Sequence, residues 1–328
     1  MTADGTIRIS VVGAGYFGSF HAEKLAQMPG AELVAVVDID GAQAQRLAQK
    51  HSVHALTDYR DLVGDVDAVT VAVPTRHHHE ITAFFLDHGV HVFVEKPIAG
   101  NLGDADDLIQ RANGRSLILQ CGYIERFSGL FQALRQEVHS PLFIETVRIA
   151  PFQSRGTDIS VVLDVMIHDI DLTLGIVNEP VQSVDAVGAP VFSDSVDIAN
   201  TRITFANGCV ANLTASRISL KQERRMRIFQ PDSYISVDFD QKSLRIVRRS
   251  DNTGTSGQFP VDIREISYEE VDSLATELQS FLTCVSSGGT PVVTGEDGRA
   301  ALATALIVSE SLSSHRRLVE QHGLLHSQ

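Results

Sequence analysis

"ISVVGAGYFGSFHAEKL", residues 9–25, is the stretch whose reading decides the fold. It ends an apolar strand at Val12, turns through Gly13-x-Gly15-x-x-Gly18, and opens a helix candidate at Phe17–Gln27. A glycine triplet alone is weak evidence. Here a second strand, Glu32–Asp38, follows the helix and ends in a carboxylate twenty residues beyond Gly18. In that arrangement the glycines let backbone N–H groups at the helix start meet a pyrophosphate, and the acid accepts from ribose hydroxyls. Gly13, Gly15, Tyr16, Phe17, Gly18 and Asp38 are therefore expected to bind a dinucleotide. A carboxylate at 38 repels a 2′-phosphate, and Ile39 and Asp40 supply no arginine, so NAD is expected over NADP.

Outward from this stretch, residues 1–122 alternate strands and helices. Further strands read Ala68–Val73, His91–Val94 and Leu117–Gly122, and helices read Gly41–His51, His78–His88 and Leu102–Ala112. Valine-rich strands separated by helices make βαβ units and a doubly wound parallel sheet. Residues 123–328 differ. Helix candidates at about 126–138 and 160–177 precede strands at Val181–Val187, Asp197–Phe205, Cys209–Arg217, Arg224–Gln230, Ser233–Phe239 and Leu244–Arg248. Asn207-Gly208 reads as a two-residue hairpin turn with positive φ at both positions. Helices at about 269–286 and 296–316 close the chain. The expected architecture is an N-terminal Rossmann domain, 1–122, and a C-terminal α+β domain, 123–328, with a large, mostly antiparallel open sheet.

The bulk numbers narrow the function class. Of 328 residues, 43% are hydrophobic and 21% charged, which describes a globular chain. A net charge of −14 argues against nucleic acid or anionic membranes as partners. No signal peptide or membrane span is read, and three scattered cysteines, Cys121, Cys209 and Cys284, fit reduced thiols without a zinc site. A cytoplasmic location is expected.

Three further stretches carry chemistry. Pro74 and Thr75 follow a strand end, where doubly wound sheets present ligand contacts. His77, His78 and His79 cannot converge on one metal ion, because helix neighbours diverge by about 100° each; His78 is kept as a cofactor-side contact. "GVHVFVEKPIAG", 89–100, ends a buried strand with Glu95-Lys96-Pro97, a costly construction for a surface turn but a useful one for holding an amine. In "VVLDVMIHDIDLTL", 161–174, Asp164 and His168 share a helix face and Asp171 adjoins them. A histidine beside a carboxylate in apolar surroundings is a general-base candidate. The same pattern equally fits a satisfied core histidine.

"GAGYFG", "VPTRHHH", "VEKP", "GYIERF" and "DVMIHDID", in that order, make the whole chain resemble the Gfo/Idh/MocA oxidoreductases. The resemblance implies a Rossmann domain followed by an α/β domain whose open sheet often forms the subunit contact, hence a homodimer or homotetramer. It implies that Lys96 touches substrate hydroxyl and nicotinamide, that Asp164 and His168 are the acid–base pair, and that Glu95 lies near the nicotinamide. Pro97 biases Lys96 to extended backbone, and the bond is a candidate for the cis form. Thr75 departs from the asparagine more usual in the family, which weakens the expected cofactor contact there.

The implied reaction oxidises a sugar hydroxyl to a ketone. "PFQSRGTDISVVLDVMIHDIDL", 151–172, looks closer to a bacterial subgroup acting on nucleotide sugars, the UDP-N-acetylglucosamine 3-dehydrogenases. Tyr123, Arg126, Arg155, Asp171 and Arg217 are then expected at the substrate, with Arg155 and Arg217 on its diphosphate; Arg148 also precedes the helix. Each arginine singly fits a solvated or ion-paired role as well. An inositol or free-sugar dehydrogenase is the nearest alternative. NAD-dependent glycosidases and non-catalytic dinucleotide-binding regulators are the alternatives from other classes.

Overall fold

A computed structural model describes residues 5–152, 160–250, 261–268 and 271–322. They form two compact units, one from within 1–127 and 271–302, the other from within 128–270 and 303–328.

The first unit is built on six parallel strands: β1 (Ile7–Val12), β2 (Ala31–Val37), β3 (His54–Leu56), β4 (Ala68–Val71), β5 (His91–Glu95) and β6 (Leu119–Gly122). Their order, β3-β2-β1-β4-β5-β6, reverses between β1 and β4, so a crevice opens at the carboxyl ends of those strands. Helices α1 (Tyr16–Leu25), α2 (Gly41–His51), α3 (His78–Asp87) and α4 (Leu102–Gly114) connect them. Two helix starts are set by local chemistry. The Asp40 carboxylate accepts from Ala42 N at 2.9 Å to cap α2, and Asn101 Oδ1 accepts from Asp104 N at 2.9 Å to cap α4. The three-residue β3 was not expected; it is too short to show a period.

Local patterning does not reveal that a distant helix completes this core. In α7 (Ser273–Ser287), Leu278, Phe281 and Leu282 join Ile7, Ile9, Val11 and Phe93 in one buried cluster. Asp272 caps that helix through Ala275 N at 3.0 Å and pairs with Lys24 of α1 at 2.8 Å.

In the second unit, α5 (Gly129–Glu137) and α6 (Ile167–Val177) accompany an eight-stranded sheet. Its strands are β7 (Phe143–Ile149), β8 (Val181–Ala189), β9 (Ile198–Phe205), β10 (Val210–Ser216), β11 (Glu223–Phe229), β12 (Ser233–Asp238), β13 (Ser243–Arg249) and β14 (Val261–Ser267). Their order is β14-β13-β12-β11-β7-β10-β9-β8, and only β7 and β10 run parallel. Alternation along β9 buries Ala199, Thr201, Ile203 and Phe205 and leaves Ile198, Asn200 and Arg202 exposed. The last helix, α8 (Gly295–Gln321), runs beyond the expected end at 316.

Four local expectations need correction. β7 and β14 were not anticipated: β7 sits alone between two helices, and β14 is an edge strand exposed at nearly every position. The hairpin after β9 has positive φ at Gly208 only. Gly208 N donates to Phe205 O and Phe205 N to Cys209 O, both at 2.9 Å, so the turn spans three residues and closes with a left-handed glycine. The helix expected over 126–138 is a 3₁₀ turn, Ile124–Phe127, and then α5, because the Ser128 hydroxyl caps a new start at Phe131 N. The helix expected from 160 opens as a π-turn, Val162–Met166, in which Ile167 N donates five residues back to Val162 O.

Candidate active site

Close packing around the glycine turn leaves a shaped opening. A Cβ on Gly13, whose φ is +104°, would lie 2.4 Å from Ala72 O, and one on Gly18 would lie 1.7 Å from Gly13 O. Both positions are closed to any side chain. A Cβ on Gly15 would meet nothing within 4 Å, so the one glycine facing open space stands directly before α1. That helix has no side-chain cap and no acid in its first turn, which suits a phosphate anion there. Asp38 lies just past β2 and is tied to the turn, accepting from Ala14 N at 2.7 Å and from Asp40 N at 2.9 Å. Tyr16 and Phe17 are exposed, with rings edge-on at 5.4 Å. An open cradle at Gly15, an uncapped helix start and a carboxylate held against the turn fit a dinucleotide.

The β5 exit carries Glu95 and Lys96, both half-buried, and the Lys96–Pro97 peptide is cis. Two buried rings flank this turn. His21 of α1 places Nε2 3.0 Å from Glu95 Oε1. His78, at the start of α3, places Nδ1 2.8 Å from Pro97 O and Nε2 2.8 Å from Val73 O. Burial pushes the His78 imidazolium below its ordinary pKa, against the two carbonyls that favour the charged ring. His21 was not anticipated. Its one sequence trace is that it shares the buried face of α1 with Gly18, Ala22 and Leu25, an unusual place for a polar ring.

The three consecutive histidines diverge. His77 accepts from Arg76 Nε at 3.1 Å, His78 is buried, and His79 Nε2 meets Asp107 at 2.7 Å. Among the described residues no group of three or more histidines, cysteines or acids could hold a metal. Pro74 and Thr75 lie at the β4 exit, where Pro74 precedes a 3₁₀ turn, Thr75–His77.

In the second unit Asp164 falls within the π-turn and His168 in the first turn of α6, both half-buried. The next residue, Asp169, holds Arg148 of β7 in a bidentate pair, Nε–Oδ2 at 3.0 Å and Nη2–Oδ1 at 2.9 Å. Both partners are buried, so Arg148 anchors the helix on the sheet rather than presenting an open fork.

Arg217, 7% exposed, is likewise engaged: Nε meets Asp197 Oδ1 at 2.8 Å, and Nη2 meets Ser193 Oγ at 3.0 Å and Ser195 Oγ. Burial alone would raise the Asp197 carboxyl, but Val191 N, Arg217, the Ser193 hydroxyl and Phe192 N hold it far below the usual carboxylate range. Tyr123, Arg126 and Asp171 are all buried, and Arg126 lies 3.6 Å from Asp297. Arg155 lies outside the described residues.

Residues 7–123 match the Gfo/Idh/MocA oxidoreductase family with an NAD-binding Rossmann fold, and residues 148–233 match the Gfo/Idh/MocA C-terminal domain. A UDP-N-acetylglucosamine 3-dehydrogenase of Acidithiobacillus ferrooxidans is 38% identical over 304 residues, 92% of this chain and 96% of its own. Its solved structure superposes with a TM-score of 0.90 at 36% identity, covering 94% of this chain and 98% of the other. A myo-inositol 2-dehydrogenase of Thermotoga maritima is 29% identical over 329 residues, 94% of this chain and 97% of its own.

Proposed function

Since the chain belongs to the Gfo/Idh/MocA family and is an NAD-dependent oxidoreductase acting on a CH–OH group, we propose that its substrate is a nucleotide sugar. The reaction proposed is oxidation of the 3-hydroxyl of UDP-N-acetylglucosamine to the ketone. What supports this reading is the near full-length likeness to the A. ferrooxidans enzyme of that name.

NAD, when bound, supplies the hydride acceptor. The cofactor contacts proposed are the Gly13–Gly18 turn, Asp38, the Pro74–Thr75 strand exit, Glu95 and Lys96; His78, expected on the cofactor side, is 1% exposed with both ring nitrogens 2.8 Å from backbone carbonyls and stands behind that exit. A sugar hydroxyl has a pKa far above 7, so its proton must be taken as the carbon is oxidised. His168 is the proposed base, Asp164 orients its ring, and the Lys96 ammonium stabilises the alkoxide charge that develops. Tyr123, Arg126, Asp171, Arg155 and Arg217 are the proposed substrate contacts. Arg217 is engaged by Asp197, Ser193 and Ser195, so a diphosphate there competes with those partners. A homodimer or homotetramer through the exposed sheet face, and a cytoplasmic location, complete the proposal.

The test mixes the protein with NAD and UDP-N-acetylglucosamine, beside free polyols and sugars, and follows reduced nicotinamide with a ketone trap present. Turnover with the nucleotide sugar alone is expected. Turnover with inositol alone would instead favour the reading supported by the T. maritima relative. Net sugar hydrolysis without net reduced cofactor would move the protein to the glycosidases.

A further inference from the structure

We propose that His21 and His78 are positioning residues for Lys96, holding the Glu95–Lys96–Pro97 turn from both ends. The inference rests on the reading that Lys96 acts in catalysis. A lysine carries its ammonium on a flexible four-carbon stem, so the backbone from which it hangs sets the region its charge can reach. On one side of Lys96, the Glu95 carboxylate is held by His21 Nε2 at 3.0 Å. On the other, the Pro97 carbonyl is held by His78 Nδ1 at 2.8 Å. A neutral ring has one N–H, here placed on Nδ1; Nε2 lies 2.8 Å from Val73 O at the exit of β4.

Packing alone does not account for these rings. His21 and His78 are 0% and 1% exposed, positions where a leucine or phenylalanine would fill space without burying polar atoms. His21 Nδ1 has no hydrogen-bond partner among the described residues, so its ring is bonded through Nε2, towards Glu95. An unsatisfied buried nitrogen is destabilising. A polar ring at this position serves the bond that its other nitrogen makes to Glu95.

The two rings use different atoms, and that makes the test specific. A glutamine amide nitrogen stands roughly where Nε2 stands and an asparagine nitrogen roughly where Nδ1 stands. His21→Gln and His78→Asn therefore keep the bonds to the turn, while His21→Asn and His78→Gln lose them. The expected result is near wild-type kcat for His21→Gln and His78→Asn, and a fall on the order of 10–100-fold for the other two, as for a catalytic group displaced by about 1 Å. KM for NAD stays unchanged in His21→Gln and His78→Asn. Competitive acetylation of the Lys96 amine, read by mass spectrometry without substrate, should change in the same two variants and in neither of the others. Equal behaviour of the glutamine and asparagine variants at each position, or kcat losses that merely track melting temperature, would overturn the proposal. So would Lys96 labelling that is the same in all four. If the wild type shows no turnover with the nucleotide sugar, the substrate reading fails, and the labelling pattern still decides the clamp.

Discussion

Two residues carry the sharpest expectations. On the proposed mechanism, replacing Lys96 with alanine removes the cation beside the developing alkoxide. We expect kcat to fall on the order of 10²–10³-fold, the usual loss for one such stabilising donor. NAD binding, measured by calorimetry, should persist; unchanged turnover would take Lys96 out of the mechanism. On the proposed cofactor contacts, replacing Asp38 removes an acceptor for ribose hydroxyls and a charge that repels a 2′-phosphate. Asp38→Ala should weaken NAD by about tenfold, as for loss of a hydrogen bond to a charged group, and should raise NADP affinity relative to NAD in competition titrations. At this scale the proposed catalytic residues were legible as residue types at a spacing. His21 was not, because its meaning depends on Glu95, which is 74 residues away in the chain.

At the scale of elements, the buried ion pairs bind helix and loop to sheet. Arg217 closes the loop before β9 onto the end of β10 through Asp197. Removing one partner of such a pair leaves a buried charge, so Arg217→Ala should destabilise the protein by about 3–5 kcal/mol in urea unfolding. A rise in KM for the nucleotide sugar at unchanged stability would instead identify Arg217 as a diphosphate contact. The same pair sets an acid limit. The folded Asp197 carboxyl lies below its unfolded value, so between the two the unfolded chain binds more protons and stability rises with pH. Its contribution is complete above the unfolded value of about 3.9 and is lost as pH falls through the folded one. Asp197→Asn should flatten the acid limb of the stability curve; an unaltered limb would exclude this carboxylate as its source. The π-turn at Val162–Met166 belongs to this scale too. Apolar spacing predicts a helix there, but a local widening leaves no mark in a 3.6-residue pattern.

For the molecule as a whole, the first core is discontinuous in sequence. A chain ending at residue 127 would lack α7 and expose the apolar face that Leu278, Phe281 and Leu282 cover. Each such side chain is worth roughly 1.5–3 kcal/mol of burial. The fragment 1–127 should therefore lack near-ultraviolet circular dichroism and be cleaved rapidly by protease. Joining residues 271–302 to it through a flexible linker should restore both properties. If 1–127 alone unfolds cooperatively, α7 is dispensable to the core.

What the chain determines by itself is whatever depends on neighbours in sequence. The glycine turn after β1, the acid after β2, the apolar runs of the parallel strands and the change to consecutive strands after residue 180 are all local, and they carry the fold class and the cofactor. Three things were decided only by tertiary structure. The return of α7 to the first sheet needs the apolar face of Ile9 and Phe93 to exist before it can be covered. The pairing of Arg148 with Asp169 and of Arg217 with Asp197 gives both arginines bracing partners that no local pattern names. The two rings around Lys96 acquire their roles only when α1, β4 and β5 lie side by side. Local propensity acts through the backbone of a few adjacent residues, whereas a buried polar group is defined by the partner that folding brings to it.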